Sequence, residues 1–162
     1  MCINDGSSIF TDRCQSLGSS ESTDVELGDV DDDGDLDAFV SNLNQGNKVW
    51  INDGSGIFTD SGQSLGSSHS NDVELSDVDD DGDLDAFVSN NGQANKVYIN
   101  DGNGTFTDSG QSLEASDSLG VSLGDVDSDG DLDALIANHG QHNVWLNDDS
   151  GAFTTSGRHA EG

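Results

Sequence analysis

Aspartates at alternate positions around a glycine are where this sequence holds chemistry. Residues 29–37 read DVDDDGDLD, residues 77–85 repeat that run, and residues 125–133 read DVDSDGDLD. Six carboxylates crowd into the nine residues of the first copy. Left alone they repel one another and oppose a compact loop. Around a hard cation the same charges become ligands. In the pattern D-x-D-x-D-G-x-x-D, positions 1, 3, 5 and 9 offer carboxylates and position 7 offers its backbone oxygen. The glycine at position 6 permits the sharp turn. Oxygen donors in that number suit Ca²⁺, which takes roughly six to eight of them.

Three sites for Ca²⁺ are therefore expected. The first comprises Asp29, Asp31, Asp33 and Asp37 with the carbonyl of Asp35. Asp77, Asp79, Asp81 and Asp85 with the carbonyl of Asp83 form the second, and Asp125, Asp127, Asp129 and Asp133 with the carbonyl of Asp131 the third. Asp32, Asp80 and the side chains of Asp35, Asp83 and Asp131 lie off the ligand positions and read as solvated. An EF-hand needs a bidentate Glu at position 12 and flanking helices. Val40, Val88 and Ile136 stand there instead. Mg²⁺ fits less well, because it keeps several of its waters.

The elements that must hold these loops follow from the repeat. Asp29, Asp77 and Asp125 open the acidic runs at intervals of 48 residues. The tripeptide IND recurs at Ile3, Ile51 and Ile99, and LND at Leu146. Within one period the alternation of apolar and polar residues predicts four short strands. They cover Asp24–Asp29, Leu36–Ser41, Lys48–Asn52 and Gly56–Thr59, the last running on toward Leu65. Asp5-Gly6, Asp53-Gly54 and Asp101-Gly102 are hairpin signals between the third and fourth strands. Among these segments none carries a helical stripe. The fold class expected is all-β, with four-stranded β-propeller-type blades in tandem. Residues 1–18 supply a half blade of third and fourth strands. Blade 1 spans 19–66, blade 2 spans 67–114 and blade 3 spans 115–162. About three and a half blades make an incomplete or open propeller, since closed rings use about four or more. The missing neighbours are expected from a longer chain, from further copies of this one, or from an open stack.

Composition narrows the partners. The chain has 162 residues, 33 acids against 4 bases, and a formal net charge of −29. Such a surface repels nucleic acid and anionic membranes. No apolar run is long enough to insert into a membrane. The opening residues MCINDGSS lack the basic and apolar regions of a signal peptide. Motifs for a nucleophile elbow or a P-loop are missing, so the chain is not expected to be an enzyme.

The run DVDDDGDLDAFVSN followed by NKVWINDGSGIFTDSGQSLG resembles the FG-GAP and VCBS repeats of bacterial surface and secreted proteins. These are related to the blades of integrin alpha-subunit propellers. The resemblance covers essentially the whole chain. It implies propeller blades with Ca²⁺ in the loop between a blade's first two strands, an extracellular or cell-surface setting, and roles in adhesion or surface assembly. The Phe-Gly and Gly-Ala-Pro elements that name the repeat are absent, so integrin-like ligand recognition is not implied.

The function expected is that of an extracellular calcium-binding repeat protein with a structural or adhesive role, assembling into a fibre or homo-oligomer through an open blade edge. The alternatives are a lectin-like carbohydrate-binding propeller and a fragment of a larger secreted propeller. Trp50, Tyr98 and Trp145 recur at one blade position and read as packing between blades rather than as sugar platforms. His139 and His142 read as surface residues. Cys2 and Cys14 either bridge each other, link chains, or remain free thiols. Asn103-Gly104-Thr105 is a glycosylation sequon at a hairpin tip, a candidate for an attached glycan.

Overall fold

A computed structural model describes residues 2–4, 6–7, 10–12 and 15–160, with side chains for 6–7 and 15–156. Every element in it is a strand: β1 (Cys2–Asn4), β2 (Phe10–Asp12), β3 (Ser22–Gly28), β4 (Asp37–Asn42), β5 (Lys48–Asn52), β6 (Phe58–Asp60), β7 (Ser70–Ser76), β8 (Asp85–Asn100), β9 (Phe106–Asp108), β10 (Leu113–Gly124), β11 (Asp133–Asn138), β12 (His142–Leu146) and β13 (Thr154–Ala160). All pairings are antiparallel. β1 and β2 form a two-stranded ribbon, and β3-β4-β5-β6 form the four-stranded sheet of blade 1.

Blades 2 and 3 depart from separate four-stranded sheets. The second and third strands of blade 2 are one 16-residue element, β8, because residues 91–95 stay extended. There they pair with Leu113–Asp117, the segment leading into the first strand of blade 3. Ladder pairing thus joins the two blades into one seven-stranded sheet. The equivalent contact between blades 1 and 2 is reduced to two isolated bridges, Leu43 to His69 and Asn47 to Leu65. The expected run of the fourth strand toward Leu65 is realised as the single Asn47–Leu65 bridge.

The same residues are buried or exposed according to which blade lies beside them. Alternation points Val25, Val73 and Val121 toward the preceding blade, and the three are 54%, 2% and 8% exposed. Val30, Val78 and Val126 point the other way, at 2%, 2% and 56%. Two cores result, one per blade junction. Between blades 1 and 2, Val30, Phe39 and Val49 meet Val73, Ala86, Val88, Tyr98 and Phe106. Between blades 2 and 3, Val78, Phe87 and Val97 meet Val121, Ala134, Ile136, Trp145 and Phe153. Each junction carries an edge-to-face aromatic pair, Phe39 with Phe106 at 5.3 Å and Phe87 with Phe153 at 5.2 Å. Such pairs add about 1 kcal/mol beyond the area they bury.

Polar latches recur at the junctions. Gln63 accepts the N–H of Phe106 at 2.8 Å and donates to the carbonyl of Gly104 at 2.6 Å. Gln111 repeats both bonds on Phe153 and Gly151, while Gln15 accepts the N–H of Phe58 and donates to the carbonyl of Phe58 itself. Asn100 donates its amide to the carbonyl of Val30, and Asn147 to that of Val78. These bonds seat the hairpin of one blade on the acidic loop of the blade before it.

Candidate metal centres

Each acidic loop leaves a blade's first strand and returns in its second. It runs from β3 to β4, from β7 to β8, and from β10 to β11. The turn uses two left-handed residues per copy. Gly34, Gly82 and Gly130 have φ of 92°, 99° and 112°. Two residues earlier, Asp32, Asp80 and Ser128 have φ of 59°, 60° and 70°. Aspartate tolerates that region better than most residues, which gives Asp32 and Asp80 a backbone role off the ligand positions.

The opening carboxylate folds the loop around itself. Asp29 accepts the N–H groups of Asp33 and Gly34 at 3.1 and 3.0 Å. Asp77 does the same for Asp81 and Gly82. In blade 3, Asp125 accepts the N–H of Ser128 at 2.6 Å. Asp33, Asp81 and Asp129 accept the N–H two residues ahead, on Asp35, Asp83 and Asp131.

The last aspartate of the motif is both a wall of the site and a fold-holding acceptor. Asp37, Asp85 and Asp133 are fully buried. Asp85 accepts Val78 N–H at 3.1 Å and Asn100 N–H at 2.8 Å, tying the acidic loop to the third strand. Asp37 binds Val30 and Asn52 in the same manner, and Asp133 binds Val126 and Asn147. Burial drives the Asp85 carboxyl up to about 7, against the two N–H bonds that favour its charge. Burial likewise raises Asp37.

Carboxylate oxygens converge in all three loops. One oxygen from each of Asp29, Asp31 and Asp33 lies within 4.8 Å of the others. The same holds for Asp77, Asp79 and Asp85, and for Asp125, Asp127 and Asp133. Asp37, Asp81 and Asp129 border these groups and act on them electrostatically. Burial first, then the neighbouring acids, raises Asp31 and Asp79.

The side chains at position 7 go elsewhere. Asp35 and Asp83 lie against Gly54 and Gly102 in the hairpin, where any Cβ would crowd their carboxylate oxygens. In blade 3 the glycine is replaced by Asp149, at φ 68°. Its carboxyl shares a hydrogen bond with Asp131, which pushes Asp131 up to about 6. A cleft of about 480 Å³ opens between the second and third loops, walled by Asp80, Asp129, Asp131 and Asp149.

These loops fit a hard cation. Asp31 Oδ1 and Asp79 Oδ1 are buried without a hydrogen-bond partner among the described residues. An orphaned buried acceptor is costly unless something positive meets it. Every side-chain donor that converges is a carboxylate oxygen, the set that Ca²⁺ prefers.

Of the other residues considered, Tyr98 and Trp145 are buried in the junctions and Trp50 is half-buried. His142 Nδ1 accepts the N–H of Asn138, and His139 is exposed. Asn103 is exposed at its hairpin tip. Cys14 and the side chain of Cys2 lie outside the described residues. The Gln latches and the buried acceptor role of the last aspartate escaped the reading of motifs. Their signal was the recurrence of Gln15, Gln63 and Gln111 at the same period as the acidic runs.

The chain belongs to the FG-GAP-like repeat family, which it matches over residues 4–76 and 77–136. Comparison with curated proteins returns no match. No helix in the described residues is long and apolar enough to cross a membrane.

Proposed function

We propose that the chain is a calcium-binding repeat module of an extracellular protein, with a structural or adhesive role. The observation that carries this reading is the pair of orphaned buried oxygens on Asp31 and Asp79, each among converging carboxylates. Asp29, Asp31, Asp33 and Asp37 would hold the first ion, with equivalent residues in blades 2 and 3. The ion would supply the positive charge that lets the loops remain compact. The loops in turn carry the carbonyls of Val30 and Val78, on which the next blade's hairpin hangs. Calcium binding and blade stacking are thereby linked. Thermal unfolding in Ca²⁺, in Mg²⁺ and in EDTA tests this. A fall in melting temperature in EDTA that Ca²⁺ reverses and Mg²⁺ does not is expected; identical melting in all three would overturn it.

Self-association is the second part of the reading. The exposed large hydrophobics Val25, Leu27 and Leu36 lie on the outer face of blade 1, and Leu119, Val126 and Leu135 on that of blade 3. Val25, Leu27 and Leu36 are identical to Val73, Leu75 and Leu84, which are covered by blade 1. The occupant these faces fit is another blade of the same kind, and a second copy of this chain supplies one. A non-closing contact of that sort builds fibres, as would pairing at an open strand edge. Sedimentation of the wild type against Leu36→Asp and Leu135→Asp tests it. Assembly lost in either variant supports the reading; a wild type that stays monomeric at high concentration would favour further blades of a longer chain. Trp50 is the ring left for the glycan-binding alternative, and Asn103 the candidate for an attached glycan.

A further inference from the structure

The sequence contains two Asn-Gly links, Asn91-Gly92 and Asn103-Gly104, and the fold treats them differently. An asparagine before glycine loses its side-chain amide readily, because glycine has no side chain to keep its nitrogen away from the asparagine Cγ. At Asn103 the link is locked. Gly104 is buried, its N–H donates to the carbonyl of Val30 at 2.8 Å, and its own carbonyl accepts from Gln63. The Asn103 amide is held in turn by the carbonyl of Asp101 at 3.0 Å. At Asn91 the link is open. Asn91 is half-buried, Gly92 is exposed, and the Asn91 amide has no hydrogen-bond partner among the described residues. Gly92 sits in a register break, since Asn91 stands opposite Asp117 and Gln93 opposite Ser116, leaving Gly92 unmatched in the ladder. The glycine serves the backbone there. Asn44 and Gly140, its equivalents in the other blades, are also left-handed, with φ of 53° and 104° against 65° at Gly92. Leu43 and His139 precede that turn in blades 1 and 3; blade 2 alone places an asparagine before it.

We propose that Asn91-Gly92 is a self-modifying site whose conversion loosens the seam between blades 2 and 3 as the protein ages. The Gly92 nitrogen, after giving its proton to solvent, attacks Cγ of Asn91. A ring C–N bond forms, the Cγ–Nδ2 bond breaks, and the amide nitrogen takes a proton back and leaves as ammonia. One water then opens the ring at either carbonyl, leaving aspartate or isoaspartate. Water is the only co-reactant. The consequence follows from what faces Asn91. Its ladder partner is Asp117, whose Oδ1 lies 3.7 Å from where a Cβ on Gly92 would stand. A carboxylate at position 91 sets two like charges directly opposite each other, which destabilises a strand pair. Isoaspartate also adds a methylene to the main chain and disturbs the register beyond it. Both changes fall on the ladder that fuses blades 2 and 3 into one sheet.

The test is ageing of the chain in warm, mildly alkaline buffer with saturating Ca²⁺, then cleavage at Lys96, which separates the two links, and mass spectrometry. A parallel sample in urea gives the rate of each link without the fold. In the folded chain position 91 is expected to gain about one dalton with time, and position 103 to convert at least about fivefold more slowly, the factor that one hydrogen bond of about 1 kcal/mol gives. In urea the two are expected to convert alike. Aged wild type and Asn91→Asp are expected to melt below fresh wild type. Asn91→Gln, aged in the same way, is expected to keep both its mass at that position and its melting temperature. Conversion of Asn103 as fast as Asn91 in the folded chain would overturn the proposal. So would an Asn91→Asp variant that melts with the fresh wild type.

Discussion

Removing single aspartates from the second loop separates the carboxylates that hold the fold from those that hold the ion. Asp85 accepts two backbone N–H groups, from Val78 and Asn100, and is fully buried. Asp85→Ala leaves both donors without an acceptor. Each such loss costs roughly 1–3 kcal/mol, so the variant should be destabilised by roughly 2–6 kcal/mol even in EDTA. Relief of the buried charge offsets a part of this, since burial already disfavours the ionised Asp85. Asp79 is the contrasting case. Its orphaned oxygen makes no hydrogen bond, and its charge is opposed by Asp81 and Asp77. Asp79→Ala in EDTA should be neutral or stabilising, within about 1 kcal/mol. In Ca²⁺ at about a hundred times the dissociation constant, it should forfeit up to about 2.7 kcal/mol, the stabilisation that one bound ion gives. Urea unfolding followed by the fluorescence of Trp50 and Trp145, with Ca²⁺ and with EDTA, reads all four values. The reasoning is refuted if Asp79→Ala costs as much in EDTA as in Ca²⁺, or if Asp85→Ala is silent in EDTA.

Other outcomes follow from the same geometry. The melting difference between Ca²⁺ and EDTA should widen from about pH 5 to about pH 8. Asp85 has a raised value in the ion-free fold, so the ion-free chain loses stability as pH rises through about 7; a pH-independent difference would count against this. Asp149→Gly should raise the melting temperature, by relieving a left-handed aspartate worth about 1 kcal/mol and by removing its contact with Asp131. The reverse change, Gly102→Asp, should lower it, because Gly102 stands in the left-handed region at φ 72° and a second carboxylate there faces Asp83. Gln63→Ala should cost about 2 kcal/mol by breaking two bonds between the blades, measured by urea unfolding at fixed Ca²⁺.

Much of this architecture was legible because the sequence states it three times. The recurrence of DGDLDA after an alternating Val-x-Leu strand located the acidic loops between first and second strands, where β3–β4, β7–β8 and β10–β11 enclose them. Alternation does not say what lies against each face. Val25 and Val73 occupy identical sequence contexts, and only the neighbouring blade distinguishes an exposed side chain from a buried one. The fusion of two strands into β8 was hidden for a related reason. It depends on pairing between residues 91–95 and Leu113–Asp117, a contact absent from local propensity. At the site, the ligand pattern revealed which carboxylates converge. It did not reveal that Asp37, Asp85 and Asp133 are also bound by two N–H groups each, since that requires the position of the third strand.

The most direct test of the central claim is calorimetric titration of the EDTA-stripped chain with Ca²⁺, in parallel with Asp79→Ala. Three ions per wild-type chain and two per variant are the predicted counts, one for each converging set of carboxylates. A wild type that takes up no Ca²⁺ with defined stoichiometry, or a variant that binds as many ions as the wild type, would contradict the account.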